Sequence, residues 1–252
     1  MAKQYISLQG KLYLSPIVAG VAAAARHVGN APDFEIELDG DVIEHQESTT
    51  GQRTTDFMMT KTRSVKFKGT LEEASNENIA YILNGQATAI AGGTVTAKNL
   101  GTVAVGQEVA LGGYNVSNVV IKDSTGMPVV VDASKYKVDA AFGTITFNDV
   151  TGLTMPLTAD FTAGTASVTT INDQDSKEYE LTFRGINTVD NSKVEVKLWR
   201  TKKDASATFP LIHEELGSYE ISGMALSDVE KGSDSSLGLF GRVVTIPTAD
   251  EI

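Results

Sequence analysis

Three histidines, His27, His45 and His213, are the side chains of this sequence best suited by type to proton transfer or metal ligation. None stands at metal-ligand spacing from another, and no H-E-x-x-H run puts two imidazoles on one helical face. Each reads as a solvated or hydrogen-bonded histidine. The chain has no cysteine, which excludes a thiolate nucleophile, a thiolate metal site and disulfides. No G-x-S-x-G elbow, Walker A loop or strand-linked G-x-G-x-x-G occurs, and Gly238-Leu239-Phe240-Gly241 reads as a turn between apolar elements. Asp39-Gly40-Asp41 and Asn172-Asp173-Gln174-Asp175 offer oxygens, yet neither continues into a calcium loop closed by a bidentate glutamate. Both read as polar turns. Paired carboxylates for glycoside hydrolysis could be drawn from several positions, but Trp199 is the only tryptophan to serve as a sugar platform. The expectation is a protein with no catalytic residue, no cofactor and no metal.

The acidic side chains are organised differently. Asp33, Glu35, Glu37, Asp39, Asp41, Glu44 and Glu47 lie in one stretch with no lysine or arginine among them. Within it, Phe34-Glu35-Ile36-Glu37-Leu38-Asp39 alternates strictly. A strand of period two puts Phe34, Ile36 and Leu38 on one face and Glu35, Glu37 and Asp39 on the other. That acidic face is either a solvated sheet surface or the wall of a channel. The formal net charge of −11 argues against a nucleic-acid-binding module, because tight binding needs lysine and arginine to displace counterions. An acidic wall that repels phosphates suits a conduit through which DNA passes without being held.

The elements that would position these residues are mostly strands. Tyr179–Phe183 and Lys193–Leu198 alternate as Phe34–Asp39 does, and Val119–Ile121, Gly143–Phe147 and Arg242–Ile246 are short β-rich runs between turn residues. One helix is expected over Asn78–Leu83, capped by Ser75 and ended by Gly85 in a left-handed conformation, with Ile79, Ile82 and Leu83 on its buried face. Ala22–Ala25 is expected to be irregular. Residues 91–172 turn rich in Gly, Thr, Val and Ala, and read as a β module inserted into a core formed by residues 1–90 and 173–252. The module is expected to face outward. Ser48–Lys61 is expected to be a loop that ends in three large apolar residues, Phe57-Met58-Met59. As an assembly loop it would present them to a neighbouring subunit; the competing reading is a strand buried on both faces. The start, Met1-Ala2-Lys3-Gln4-Tyr5, begins no signal peptide, and Pro16–Ala25 is too short to span a bilayer, so a soluble protein is expected.

Three stretches, taken together, resemble the major tail tube proteins of long-tailed, siphophage-like bacteriophages. They are Gly10–Leu14 with Val28–Pro32 and the acidic run to Ser48; Leu71-Glu72-Glu73 leading into the Asn78–Leu83 helix; and Phe209–Ile212, Glu215–Gly217 and Leu237–Val244. Tyr136–Asp139 followed by Gly143–Ile145 resembles a strand pair of tail and baseplate proteins. The resemblance implies a mainly-β fold, an antiparallel β-sandwich or barrel with one flanking helix. It implies a structural virion protein, not an enzyme, that stacks in rings, commonly hexameric, to form the conduit for genome ejection. Its partners would be further copies of itself and the tape measure, tail terminator and distal tail proteins, with DNA passing through and no membrane. Its place would be the virion tail, assembled in the bacterial cytoplasm. Glu35, Glu37 and Asp39 would then line the lumen, and Phe57, Met58 and Met59 would lie at an assembly interface. Another β-rich virion or surface module, of baseplate, decoration or adhesin type, is the alternative.

Overall fold

The computed structural model describes residues 5–49, 51–175 and 177–247; Met1–Gln4 of the N-terminal run and Thr50 of the expected assembly loop lie outside the described residues. The protein is mainly β. It divides into two compact units, one of residues up to 86 and from 170 onward, the other of residues 87–169. From the sequence the divisions were expected after residues 90 and 172.

The first unit begins with strands β1 (Leu8–Val18), β2 (Val21–Ala22), β3 (Arg26–His27), β4 (Phe34–Asp39), β5 (Val42–Gln46), β6 (Thr55–Thr60) and β7 (Ser64–Leu71), then helix α1 (Asn76–Ile82). The second unit holds β8 (Ala87–Ile90), β9 (Gly93–Gly101), β10 (Glu108–Ala110), β11 (Ser117–Lys122), β12 (Tyr136–Asp139), β13 (Thr144–Phe147), β14 (Leu157–Ala163) and β15 (Ala166–Thr169). The chain returns to the first unit with β16 (Glu178–Asn187), β17 (Lys193–Lys203), β18 (Tyr219–Ala225), the single turn α2 (Val229–Gly232) and β19 (Gly241–Ile246).

Nine strands of the first unit form one antiparallel sheet, in the order β2-β1-β16-β17-β18-β7-β4, with β3 on β1 and β19 on β17. The long β17 serves two neighbours on one edge: Lys193–Leu198 pair with β19 and Thr201–Lys203 with β18. Alternation sets the core. Leu12 and Leu14 of β1 face Phe183 and Leu181 of β16, which face Val196 and Leu198 of β17. Of these, Leu12, Leu14, Leu181, Phe183 and Leu198 pack in the same cluster as Val65, Phe67 and Leu71 of β7 and Ile221 of β18, so both halves of the sheet close over one core. Glycines in mid-strand make room for rings. A Cβ on Gly10 or Gly185 would sit 2.8 and 2.6 Å from the Phe183 ring, and one on Gly223 would sit 2.6 Å from that of Phe67. Phe67 is 1% exposed. Phe67→Ala should therefore cost about 3–5 kcal/mol of unfolding free energy in urea titration; a loss below about 1 kcal/mol would show the ring to be dispensable.

Helix α1 starts two residues before the expected span. The Ser75 hydroxyl accepts the Asn78 N–H at 3.2 Å, as its capping role requires. The left-handed residue at its end is Asn84 (φ +48), not Gly85. Gly85 answers a different need: any Cβ there would overlap the Thr170 carbonyl. The buried face is Asn78, Tyr81 and Ile82 rather than Ile79, Ile82 and Leu83. Asn78 is tolerated there because its amide donates to the carbonyls of Val28 and Glu73, both at 2.7 Å, and accepts from Arg26 at 2.6 Å. Burial pushes the Tyr81 hydroxyl pKa up.

The second unit has its own core, around Leu111, Ile121, Ile145, Phe147, Leu157 and Phe161. Sheets β10-β13-β12 and β11-β14-β9 surround it, with a β15-β8 ribbon. Backbone donors at Val129, Ser134 and Ala97 hold the carboxyls of Asp123, Asp132 and Asp160 below their ordinary pKa, and Lys135 does so for Asp149. Such depressed groups add stability above the unfolded carboxylate pKa of about 3.9 and lose it as pH falls through their folded values. The melting temperature should thus hold steady from pH 7 to 5 and drop below about pH 4. Calorimetry across that range checks it, and a flat profile down to pH 2 would contradict it.

Candidate assembly surface

Strands β4 to β7 form one nested hairpin. β4 pairs with β7 from Phe34↔Gly69 to Asp39↔Ser64, and β5 pairs with β6 from Val42↔Thr60 to Gln46↔Thr55. The two pairs are separated by Gly40-Asp41 on one side and Lys61–Arg63 on the other. That junction is hydrogen-bonded: the Asp41 carbonyl accepts the Lys61 N–H at 2.7 Å, and the Thr62 hydroxyl oxygen accepts the Asp41 N–H at 3.0 Å.

Register places Ile43, His45, Phe57 and Met59 on one face of the β5–β6 ribbon, and Val42, Glu44, Met58 and Thr60 on the other. Asp56 is the extra residue of a bulge, and its carboxylate meets His45 Nδ1 at 2.6 Å. No residue of either strand is buried; Phe57, Met58 and Met59 are 57%, 63% and 48% exposed. Both expectations for this stretch need correction. It is half strand rather than loop, because Thr55–Thr60 has a partner in β5. Nor is it buried on two faces, because the ribbon belongs to no larger sheet. A two-stranded ribbon is marginal in water by itself, and apolar side chains on both of its faces need a covering surface.

The acidic strand keeps its expected alternation, and register adds basic neighbours to it. Glu35, Glu37 and Asp39 do share a face, but Lys68 and Lys66 of β7 stand beside them, with Lys68–Glu35 at 2.9 Å and Lys66–Asp39 at 2.6 Å. The Lys66 hydrogen bond holds the Asp39 carboxyl below its ordinary range, and the two lysines are raised in turn. Glu37 faces Lys66 in register with no ion pair of its own among the described residues. On the opposite face Phe34 packs against the core, whereas Leu38 is 80% exposed. β4 is the edge strand, and the core ends before Leu38.

An open groove of ≈ 810 Å³ follows this edge, lined by Leu8, Phe34, Ile36, Phe183, Ile186 and Val243 among others. Nothing in the local sequence marks it, since it is built from strands far apart in the chain. The histidines are scattered: His27 lies against Tyr13 and His213 edge-on to Tyr219. Asp173 accepts the Thr170 hydroxyl at 2.7 Å, a turn contact. Among the described residues no group of three or more His, Asp or Glu is placed to hold a metal ion, and no helix is long and apolar enough to cross a membrane.

These features define an all-antiparallel β protein with an uncovered apolar ribbon and an open sheet edge. The family model described as "Protein of unknown function UCP028589" matches residues 5–244, and the chain belongs to that family. No curated protein matches it.

Proposed function

We propose that this protein is a structural subunit of a phage tail tube, assembling through head-to-tail contacts into stacked rings that conduct DNA. The observation that carries this reading is the β5–β6 ribbon, which displays Phe57, Met58 and Met59 with no core to receive them. A second copy supplies the missing cover, and head-to-tail contacts between identical copies close into rings or extend into filaments. The open edge of β4 supports the same reading, since an unpaired edge is a template for another chain. So does the order of the sequence stretches that resemble tail tube proteins. Negative-stain microscopy of the concentrated protein tests it. Hollow tubes of uniform diameter are the expected result; discrete trimers or glycan binding would favour a baseplate or adhesin module instead.

In this reading the Glu35, Glu37 and Asp39 face lines the lumen. Glu37 is the clean probe, because altering Glu35 or Asp39 would also strand Lys68 or Lys66. Phage carrying Glu37→Lys should build normal tails yet eject DNA more slowly, as a cation on the wall now holds phosphates. Unchanged ejection kinetics, or a tube structure with Glu37 on the outer wall, would remove Glu37 from the lumen.

A further inference from the structure

We infer that the ribbon of one copy docks on the outer face of the β1-β16-β17-β19 half-sheet of a second copy; this rests on the self-assembly reading and names its receiving surface. In a chain of net charge −11 this face is basic. Register aligns Lys11 with Arg184, Glu195 and Val244, and Gln9 with Ile186, Lys193 and Ile246. Lys197 and Arg242 are aligned one step further on. Five cations thus share the face with the carboxylates of Glu180 and Glu195, a net of +3. Arg184–Glu195 (2.9 Å) and Lys197–Glu180 (3.3 Å) are internal pairs. Lys11 and Lys193 are exposed and have no ion partner among the described residues.

Between those two lysines lies a shallow depression of ≈ 520 Å³, lined by Lys11, Arg184, Ile186, Lys193, Glu195 and Ile246 among others. It has an apolar floor and a basic rim. The ribbon is its complement. Ile43, Phe57 and Met59 form an apolar centre on one face; the Asp56 carboxylate meets His45 on that face, alternation sets Asp41 and Glu47 there as well and Glu44 on the other, and with the single cation Arg53 residues 40–60 carry a net of −3. An apolar centre within a charged rim is the ordinary build of a protein interface. Copies of an acidic protein repel at long range, so a local patch of opposite sign is what orients them on approach. The larger groove beside β4 offers no such match, its charged lining being one cation, Lys11, and one anion, Asp33. DNA fits the basic face less well, because two unpaired lysines release too few counterions to hold it at physiological salt.

The test is charge exchange in the full chain, read by light scattering and negative stain. Lys11→Glu with Lys193→Glu, or Glu47→Lys with Asp56→Lys, should raise the concentration needed for assembly at least about tenfold, which is ~1.4 kcal/mol. Lys11, Lys193 and Asp56 are exposed and Glu47 is half-buried, and unchanged melting of each variant separates docking from folding. Combining the four substitutions should restore assembly to within a few-fold of the parent. If the parent assembles and the Lys11→Glu, Lys193→Glu variant does so equally well, or if the combined variant is no better than either pair, the docking assignment is overturned while self-assembly stands. Loss of duplex-DNA retention with assembly intact would also overturn it, marking a nucleic-acid surface. A parent that forms no assembly at any concentration removes the reading on which the inference rests.

Discussion

Phe57→Ser combined with Met58→Ser should give a soluble monomer that melts as the parent does and no longer polymerises. Both side chains lie on β6, on opposite faces of the ribbon, at 57% and 63% exposure. Their removal opens no cavity, so the folded state loses little beyond a small strand propensity. Assembly loses more. Fully burying such a side chain is worth about 1.5–3 kcal/mol, and a little over half of each remains to be covered, so the pair should cost roughly 2–4 kcal/mol per docked ribbon. That is about a 30- to 1000-fold fall in the association constant. Methionine also lets a surface adapt its packing as copies come together, which serine cannot replace. Size-exclusion chromatography, negative stain and calorimetry on the double variant give the three readouts. Polymers at the parent's concentration would sink the idea, as would loss of cooperative melting, which would mean that the ribbon is core within its own subunit.

The legible part of this fold is the part where one side of a strand faces a core. Tyr179–Phe183 and Lys193–Leu198 alternate in sequence and lie in β16 and β17, with Leu181 and Leu198 buried. Ser75 announces α1 because an orphan N–H needs a nearby oxygen, a local demand. Where the demand is not local, the sequence is silent or misleading. Alternation puts Leu38 on the core face of β4 but cannot say that the core stops short of it. Glycine is the usual left-handed residue, yet Asn84 takes that conformation while Gly85 yields space to a carbonyl 85 residues away. The pairing of Glu35 with Lys68 depends on register across 33 residues of chain. The sequence leaves Ser48–Lys61 open between a loop and a strand buried on both faces for a physical reason. A two-stranded ribbon with no core has no inside, so nothing imposes period two on Phe57-Met58-Met59. The basic face was hidden likewise, because its five cations are dispersed over four strands from both ends of the chain.

Replacing residues 87–169 with a short Gly/Ser linker should leave a protein that folds cooperatively and still assembles. The points of excision are already neighbours within the first unit. The Gln86 N–H donates to the Thr170 hydroxyl oxygen at 2.8 Å, and the Thr170 N–H donates to the Gln86 carbonyl at 3.1 Å. Beyond them the Asn172 and Gln174 N–H groups donate to the carbonyls of Leu83 and Asn84, at 2.8 and 3.1 Å. A two- to four-residue turn, roughly the length of an ordinary hairpin connection, can therefore join Gln86 to Thr170 without moving either. The first unit loses no member of its apolar cluster, since Leu12 through Ala225 of that cluster all lie outside the excised segment. The strands removed pair with one another: β8 with β15, β9 with β14, β12 with β13. Closing a shorter loop also lowers the entropy of the unfolded chain, by about 0.6 kcal/mol for each halving of loop length, which offsets part of whatever packing the excision removes. The expected result is a single calorimetric transition within a few degrees of the parent's, and tubes in negative stain. Residues 87–169 expressed alone should likewise melt cooperatively, around the Ile121, Ile145, Phe147 and Phe161 cluster. A shortened protein with no cooperative transition would show that the second unit supplies part of the first unit's stability. A folded one that forms no rings would place assembly contacts on the segment removed, and would move the interface from the β5–β6 ribbon to the insert.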